Sequence, residues 1–431
     1  MNRFLIIVLL FITGKACYSQ TLTLEEAIDI ALKNSLDVQI LKNNVEIANT
    51  NNHIGVAGGL PVVTGGLTDN ESVTNVNQKQ YNGDIIRRNA AVGNNLSANV
   101  TGSILLYNGS RVIATKNRLE QLESQSEQYL NAQVQNTLAA VMTSYYDIVR
   151  QQAYVKTINQ SIEVAQKRLD IVKTQQNVGM ANNADLYQSQ LDLNSLIQNR
   201  ESQLLIVQQA KTDLLTLLSL RPDSLIFVED TIVVDRNVTL ADVLNNIERN
   251  AEIMAANDEI KINEFIVKET AAQRYPTIRA TAGYNFTRNQ TSAGNILLNQ
   301  SRGPVAVLTL SVPIYNGSIF KRQQKVAEIN VKNATLQKDI LIRDFTGGAV
   351  KSFQAYQATL LQIDSQQKNV ELAQKLLDLA LLRYQYRQAT ILEVRQAQES
   401  FESASYTLTN LNFAGKSSEI EIKRVMNQIQ F

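Results

Sequence analysis

The chain has 431 residues, 41 of them Lys or Arg and 40 Asp or Glu, with a single Cys, a single His and no Trp. One Cys and one His leave zinc sites and Ser/His or Cys/His catalysis almost nothing to work with, and the chain is read as a non-enzyme without cofactor or metal. A balanced charge with no basic patch argues against nucleic acid.

Residues 1–19 open with Arg3, continue as an unbroken apolar run over 4–12 and end in small and polar residues, the pattern of a secretory signal peptide. Cleavage after Ser19 puts Cys17 at the minus-three position; the alternative is a lipoprotein acylated on Cys17. His53 falls in a polar run before a Gly-rich stretch and reads as a surface side chain.

A first unit spans 20–220. It begins with a helix pattern, LTLEEAIDIALKNSLDVQ at 22–39, and a weak strand follows Pro61. Leu96, Ala98, Val100, Gly102, Ile104 and Leu106 then alternate with Ser97, Asn99, Thr101 and Ser103, a period-two strand with one apolar face. LLYNGS at 105–110 leads into a stretch over 111–178 without Gly or Pro, long enough for one helix on the order of 100 Å. Val134, Leu138, Val141, Tyr145, Ile148, Val155, Ile158, Ile162, Ala165, Leu169 and Val172 form a coiled-coil seam along it, broken at Gln152. NVGMANNADL at 177–186 marks a turn, with Val178 and Gly179 in it, before a returning helix.

After a connector over 221–237, a second unit covers 238–431 with the same plan. VTLADVLNNIERNAEIMA (238–255) matches 22–39, PIYNGS (313–318) matches LLYNGS, and ELAQKLLD (371–378) matches EVAQKRLD (163–170), the last two at a displacement of 208 residues. Alternating strands run through Ile278 to Phe286 and Ala306 to Ile314. Ala349, Phe353, Tyr356, Leu360, Ile363, Val370, Ala373 and Leu377 continue the seam, with a bend or close approach expected at Gly347 and Gly348. The polar segments 68–95 and 289–303 read as loops.

Strands of about ten residues, apolar on one face and polar on the other, suit a membrane barrel with a watery lumen. Four strands per chain cannot close such a barrel, and an open edge in lipid is costly. The chain therefore has to oligomerise if it spans; two copies would leave an interior filled by side chains, whereas three leave a lumen. Strand pairs joined to very long helices suggest a conduit.

The duplication, the repeated YNGS where strand gives way to helix, Pro61 and Pro276 where helix gives way to strand, and NVGMANNADL together resemble the TolC family of outer-membrane efflux channels. The resemblance covers essentially the whole chain after the signal. It implies a mainly helical homotrimer with a 12-stranded β-barrel in outer-membrane lipid, and a coiled-coil α-helical barrel in the periplasm. It further implies an equatorial region built from strand-like segments around 226–234 and the C-terminal residues. The implied function is a passive export duct of a Gram-negative cell, opened at its periplasmic tip by a periplasmic adaptor protein and an inner-membrane pump. In the family an Asp of the first tip contacts a Tyr and an Arg of the second; Asp185 and Tyr384 match. The Arg position aligns with Ala389, leaving Arg387 or Arg383 to substitute, and Arg387 stands where the family has Gly. Glu393 aligns with an acidic ring at the constriction, whose second acidic site is here Gln396. Val178 and Gly179 mark the tip where an adaptor docks. From a different class, a periplasmic coiled-coil structural or adaptor protein explains the heptads but not the strand pairs.

Overall fold

The structure, a computed structural model, describes residues 21–429; the signal segment 1–19, Cys17 and Phe431 lie outside the described residues. Eight α-helices and four strands are described: α1 Leu24–Asn34, α2 Leu36–Asn51, β1 Val62–Lys79, β2 Ile85–Tyr107, α3 Arg111–Asn177, α4 Asn183–Leu217, α5 Leu240–Asn246, α6 Ala251–Ala272, β3 Thr277–Thr291, β4 Leu298–Ser311, α7 Ile319–Gln385 and α8 Ile391–Val425. α3 and α7 are both 67 residues long, α4 and α8 both 35, and each pair is displaced by 208 residues. The chain divides into two compact units.

One unit holds residues 41–131 and 251–343, with the sheet. The strands pair antiparallel in the order β1-β2-β3-β4. They are longer than the alternation alone indicates, because the polar segment expected to be a loop over 68–95 stays paired through Lys79↔Ile85 and turns only at 80–84. Thr, Asn and Ser pair across this upper part as readily as Val and Ala do below, so polarity there marks a water-facing strand rather than a loop. The second expected loop is likewise shortened, to 292–297. At both YNGS motifs two successive residues take left-handed backbone, Gly109 (φ 69°) with Ser110 (φ 66°) and Gly317 (φ 67°) with Ser318 (φ 65°). A Cβ at Gly109 would stand 2.7 Å from that of Tyr275, so there the glycine also admits a neighbour.

The other unit holds residues 21–40, 132–250 and 344–429. Thr23 and Glu26 form a reciprocal capping box that starts α1. The expected seam of α3 is its core: Leu138, Val141, Tyr145 and Ile148 pack with Ala27, Ile28 and Ala31 of α1 and with Leu214 and Ile420 of α4 and α8. The seam's polar break has a use, since Gln152 Nε2 donates to the Val228 carbonyl of the connector at 3.0 Å. The connector itself holds one isolated parallel bridge, Thr21↔Phe227, in place of the strand-like segments expected around 226–234. It is held mainly by side chains: the Asp235 N–H donates to Glu419 (2.9 Å), and Glu419, only 2 % exposed, also takes Lys416 and Lys423. α7 runs as continuous helix through Gly347 and Gly348, and nothing lies within 4 Å of a Cβ built at either. The close approach expected there is absent among the described residues, and the flanking helix carries the two glycines at a cost of about 1 kcal/mol each.

Candidate functional site at the helical hairpin tips

Two helical hairpins end in tips of the same backbone design. At the first, the Gly179 N–H donates to the Gln176 carbonyl (2.8 Å) and the Met180 N–H to the Gln175 carbonyl (2.7 Å), with Gly179 at φ 76°. These are the two bonds of a Schellman cap, which satisfies the last carbonyls of α3. At the second, the Arg387 N–H donates to Tyr384 (3.0 Å) and the Gln388 N–H to Arg383 (2.8 Å), with Arg387 at φ 62°. An arginine thus occupies a left-handed position where Gly carries no steric penalty, at a cost of about 1 kcal/mol or more. Its guanidinium reaches across to the first tip, Nη2 donating to the Met180 carbonyl at 3.3 Å.

The returning helices start alike. Asn182 caps α4 by accepting from the Asp185 N–H (2.7 Å), and Thr390 caps α8 in a box with Glu393. Asp185 and Glu393 are equivalent third residues of the two helices, where a carboxylate favours the helix N-terminus. Glu393 is half exposed, accepts from the Thr390 N–H (3.2 Å) and stands 3.9 Å from Arg383 Nη1. Arg383 also donates to the Gln388 carbonyl (2.7 Å).

The hairpins meet around Val172, Leu377, Tyr384, Val394 and Phe401. Tyr384 is buried, and burial raises its hydroxyl pKa above the usual 10; the Asp185 charge adds to the rise and Arg168 opposes it. Asp185 and Tyr384 are therefore brought together electrostatically, without a hydrogen bond between them among the described residues. Neither Arg387 nor Arg383 pairs with Asp185 there; both serve backbone carbonyls of the tips. Val178 is exposed beside Gly179, and no atom lies within 4 Å of a Cβ built on Gly179.

The residue that sequence reasoning missed is Arg168. It is 1 % exposed, bonds Asp192 through Nη2 at 2.7 Å, and leaves Nε and Nη1 buried without partners. Desolvation lowers its pKa, against the pull of Asp192. A cavity of ≈ 150 Å³ adjoins it, lined also by Ser195, Arg395, Gln398 and Glu402. The signal lay in the repeat: EVAQKRLD has Arg168 where ELAQKLLD has Leu376. No group of three or more His, Cys, Asp or Glu side chains among the described residues is arranged to hold a metal.

Known proteins share both the fold and the sequence pattern. A solved structure of CusC superposes with a TM-score of 0.78 at 19 % identity, covering 94 % of this chain and 91 % of that one. The outer membrane protein VceC from Vibrio cholerae superposes with a TM-score of 0.74 at 17 % identity, covering 94 % of this chain and 96 % of that one. In sequence, the outer membrane efflux protein BepC of Brucella suis is 22 % identical over 408 residues, 92 % of this chain and 83 % of the relative. TolC of Escherichia coli K12 is 23 % identical over 190 residues, 42 % of this chain and 38 % of that protein. With its two halves matching the model of outer membrane efflux proteins over residues 27–220 and 245–428, the chain belongs to the outer membrane efflux protein family.

Proposed function

We propose that three copies of this chain form an export duct whose gate is the ring of hairpin tips. The family is one of outer-membrane efflux channels, and its function places the sheet in the membrane and the long helices in the periplasm. No helix among the described residues is long and apolar enough to cross a membrane; in this reading the sheet, with its apolar face, is the spanning part. The observation that carries the reading is the pairing of a four-stranded antiparallel sheet, too few strands to close alone, with two 67-residue helices that each end in a capped hairpin. Three sheets give twelve strands and remove every free edge.

In the resting gate, the Arg387 bond to Met180 and the packing of Tyr384 hold the two hairpins of one chain together, Arg168 and Asp185 set the charge beside Tyr384, and Glu393 lines the constriction. Energy comes from a partner pump, and an adaptor opens the tip by binding the open form more tightly than the closed one. Val178 and Gly179 present the docking turn. A coiled-coil protein that never enters the membrane offers no role for the apolar sheet face. Fractionation tests the reading: a heat-sensitive trimer is expected in the outer membrane, and a well-folded monomer there overturns it. In planar bilayers Glu393→Gln lowers cation preference; unchanged selectivity removes Glu393 from the lumen lining.

A further inference from the structure

The strand register gives the outward face of the sheet row by row, since directly paired residues share a face. From Leu310 up to Pro304 on β4, every residue paired across on that face is apolar or glycine: Ile278, Ala280, Ala282 and Tyr284 on β3, then Val100 and Gly65 at the Tyr284 level. One row higher Phe286 pairs with Arg302, and the next row places Arg288 opposite Gln300. The apolar rows from Pro304 to Leu310 span about 20 Å along the strand at ~3.3 Å per residue, close to the height of an outer-membrane apolar band. The band thus ends at two arginines on neighbouring strands, diagonal to each other: Arg302 beside Phe286, and Arg288 one row higher. This is the hairpin end of the sheet; the helices join at the other end.

Both arginines are exposed. Arg302 has no hydrogen bond or ion pair among the described residues, and Arg288 donates only to Gln290 Oε1, at 2.9 Å. The acids of the same face, Asp69 and Glu71, are on β1 and share the Asn94 amide. Two cations without a carboxylate at the rim of a hydrocarbon band face the level of the outer-leaflet headgroups. We propose that Arg288 and Arg302 form a clamp for the phosphate of an outer-leaflet glycolipid, whose acyl chains lie against Tyr284 and Phe286. Diagonal strand neighbours are about 7 to 8 Å apart at Cα, a spacing at which two guanidinium forks converge on one phosphate.

The proposal rests on the membrane-barrel reading, so the test uses full-length trimer taken from the outer membrane, whose presence there checks that reading separately. Retention of diphosphorylated lipid A is measured by native mass spectrometry after delipidation and titration. The double variant Arg288→Gln/Arg302→Gln is expected to bind roughly thirtyfold more weakly, from about a fivefold loss per arginine at a membrane surface. Wild type should lose the same factor toward dephosphorylated lipid A, should be indifferent to millimolar inorganic phosphate, and should be matched by Arg279→Gln, whose side chain is on the opposite face near Ser103. Equal affinity of wild type for the two lipids overturns the clamp, even if the double variant does not assemble. Competition by free phosphate overturns it in favour of a soluble-anion site. Equal loss of lipid-free trimer stability in Arg302→Gln and in Asp69→Asn/Glu71→Gln overturns it in favour of an ion pair across the seam between copies.

Discussion

The two hairpin tips share a backbone and differ in chemistry. Both close with the same pair of cap bonds and restart with the same N-cap geometry, 208 residues apart. Yet Gly179 has Arg387 as its counterpart, Asp185 has Glu393, and Arg168 has Leu376. Backbone geometry survives because each cap satisfies carbonyls that any helix end must satisfy. Side chains were free to diverge wherever only packing or charge was at stake: the acid at Asp185 and Glu393 is kept, while Arg387 and Arg168 each add a charge that the other hairpin lacks.

The largest effect tests the Arg168 asymmetry. Asp192→Leu strands a buried guanidinium and should cost about 3 to 5 kcal/mol, whereas Arg168→Met/Asp192→Leu, which removes the buried pair altogether, should recover most of it. Thermal unfolding of the detergent-solubilised trimer reads both; equal losses in the single and double variants would show that Arg168 acts by packing alone. Next comes the contrast between α3 and α7. Proline at Ala140, the counterpart of Gly348, or at Ser161 breaks α3 at a cost of about 3 kcal/mol or more and abolishes trimer assembly; normal trimer yield from both would mean that α3 is not continuous there.

A smaller effect concerns the pairing of Asp185 with Tyr384. Removing both, as Asp185→Ala/Tyr384→Phe, takes away a carboxylate and a buried hydroxyl that are close without being hydrogen-bonded, and is expected to raise conductance in planar bilayers only modestly. The Tyr384 hydroxyl is raised above its ordinary value in the closed tip by burial and then by Asp185. Its contribution to closure is therefore complete below pH 10 and is lost as pH rises through the raised value. Open probability should climb above pH 10 in the parent and stay flat in Tyr384→Phe; identical profiles would sink the assignment. The smallest effect isolates the caps. Gly179→Ala meets no atom and should cost only the left-handed penalty, about 1 kcal/mol. Arg387→Gly relieves that penalty and loses the bond to Met180, so its melting temperature should stay close to the parent's. A large loss in Arg387→Gly would make that cross-tip bond the stronger term.

Much of this was legible in the sequence. Glycine-free and proline-free helices, the seam through Leu138 and Val172, and the period-two strands follow from local spacing, and the family follows from the duplication. Strand length was not legible, because the alternation fades in the polar run after Leu67 while pairing continues to Lys79. Gly347 and Gly348 suggested an interruption that the surrounding helix overrides. At the tips the sequence located Asp185, Tyr384, Arg387 and Glu393 but not which atoms meet. Arg387 bonding Met180 depends on how two hairpins 208 residues apart pack, and Arg168 looked like one more charge on a helix until its burial placed it between them.

The connector over 221–237 has a consequence for symmetry. Without the covalent link that Glu419 and Gln152 anchor, six identical single-hairpin subunits would give a ring in which every tip is the same. Fusion lowers the order from six to three and gives each ring two alternating kinds of tip. In the trimer proposed above, Arg then stands at three tips while Gly keeps the turn at the other three, a two-note surface that six identical subunits could not present.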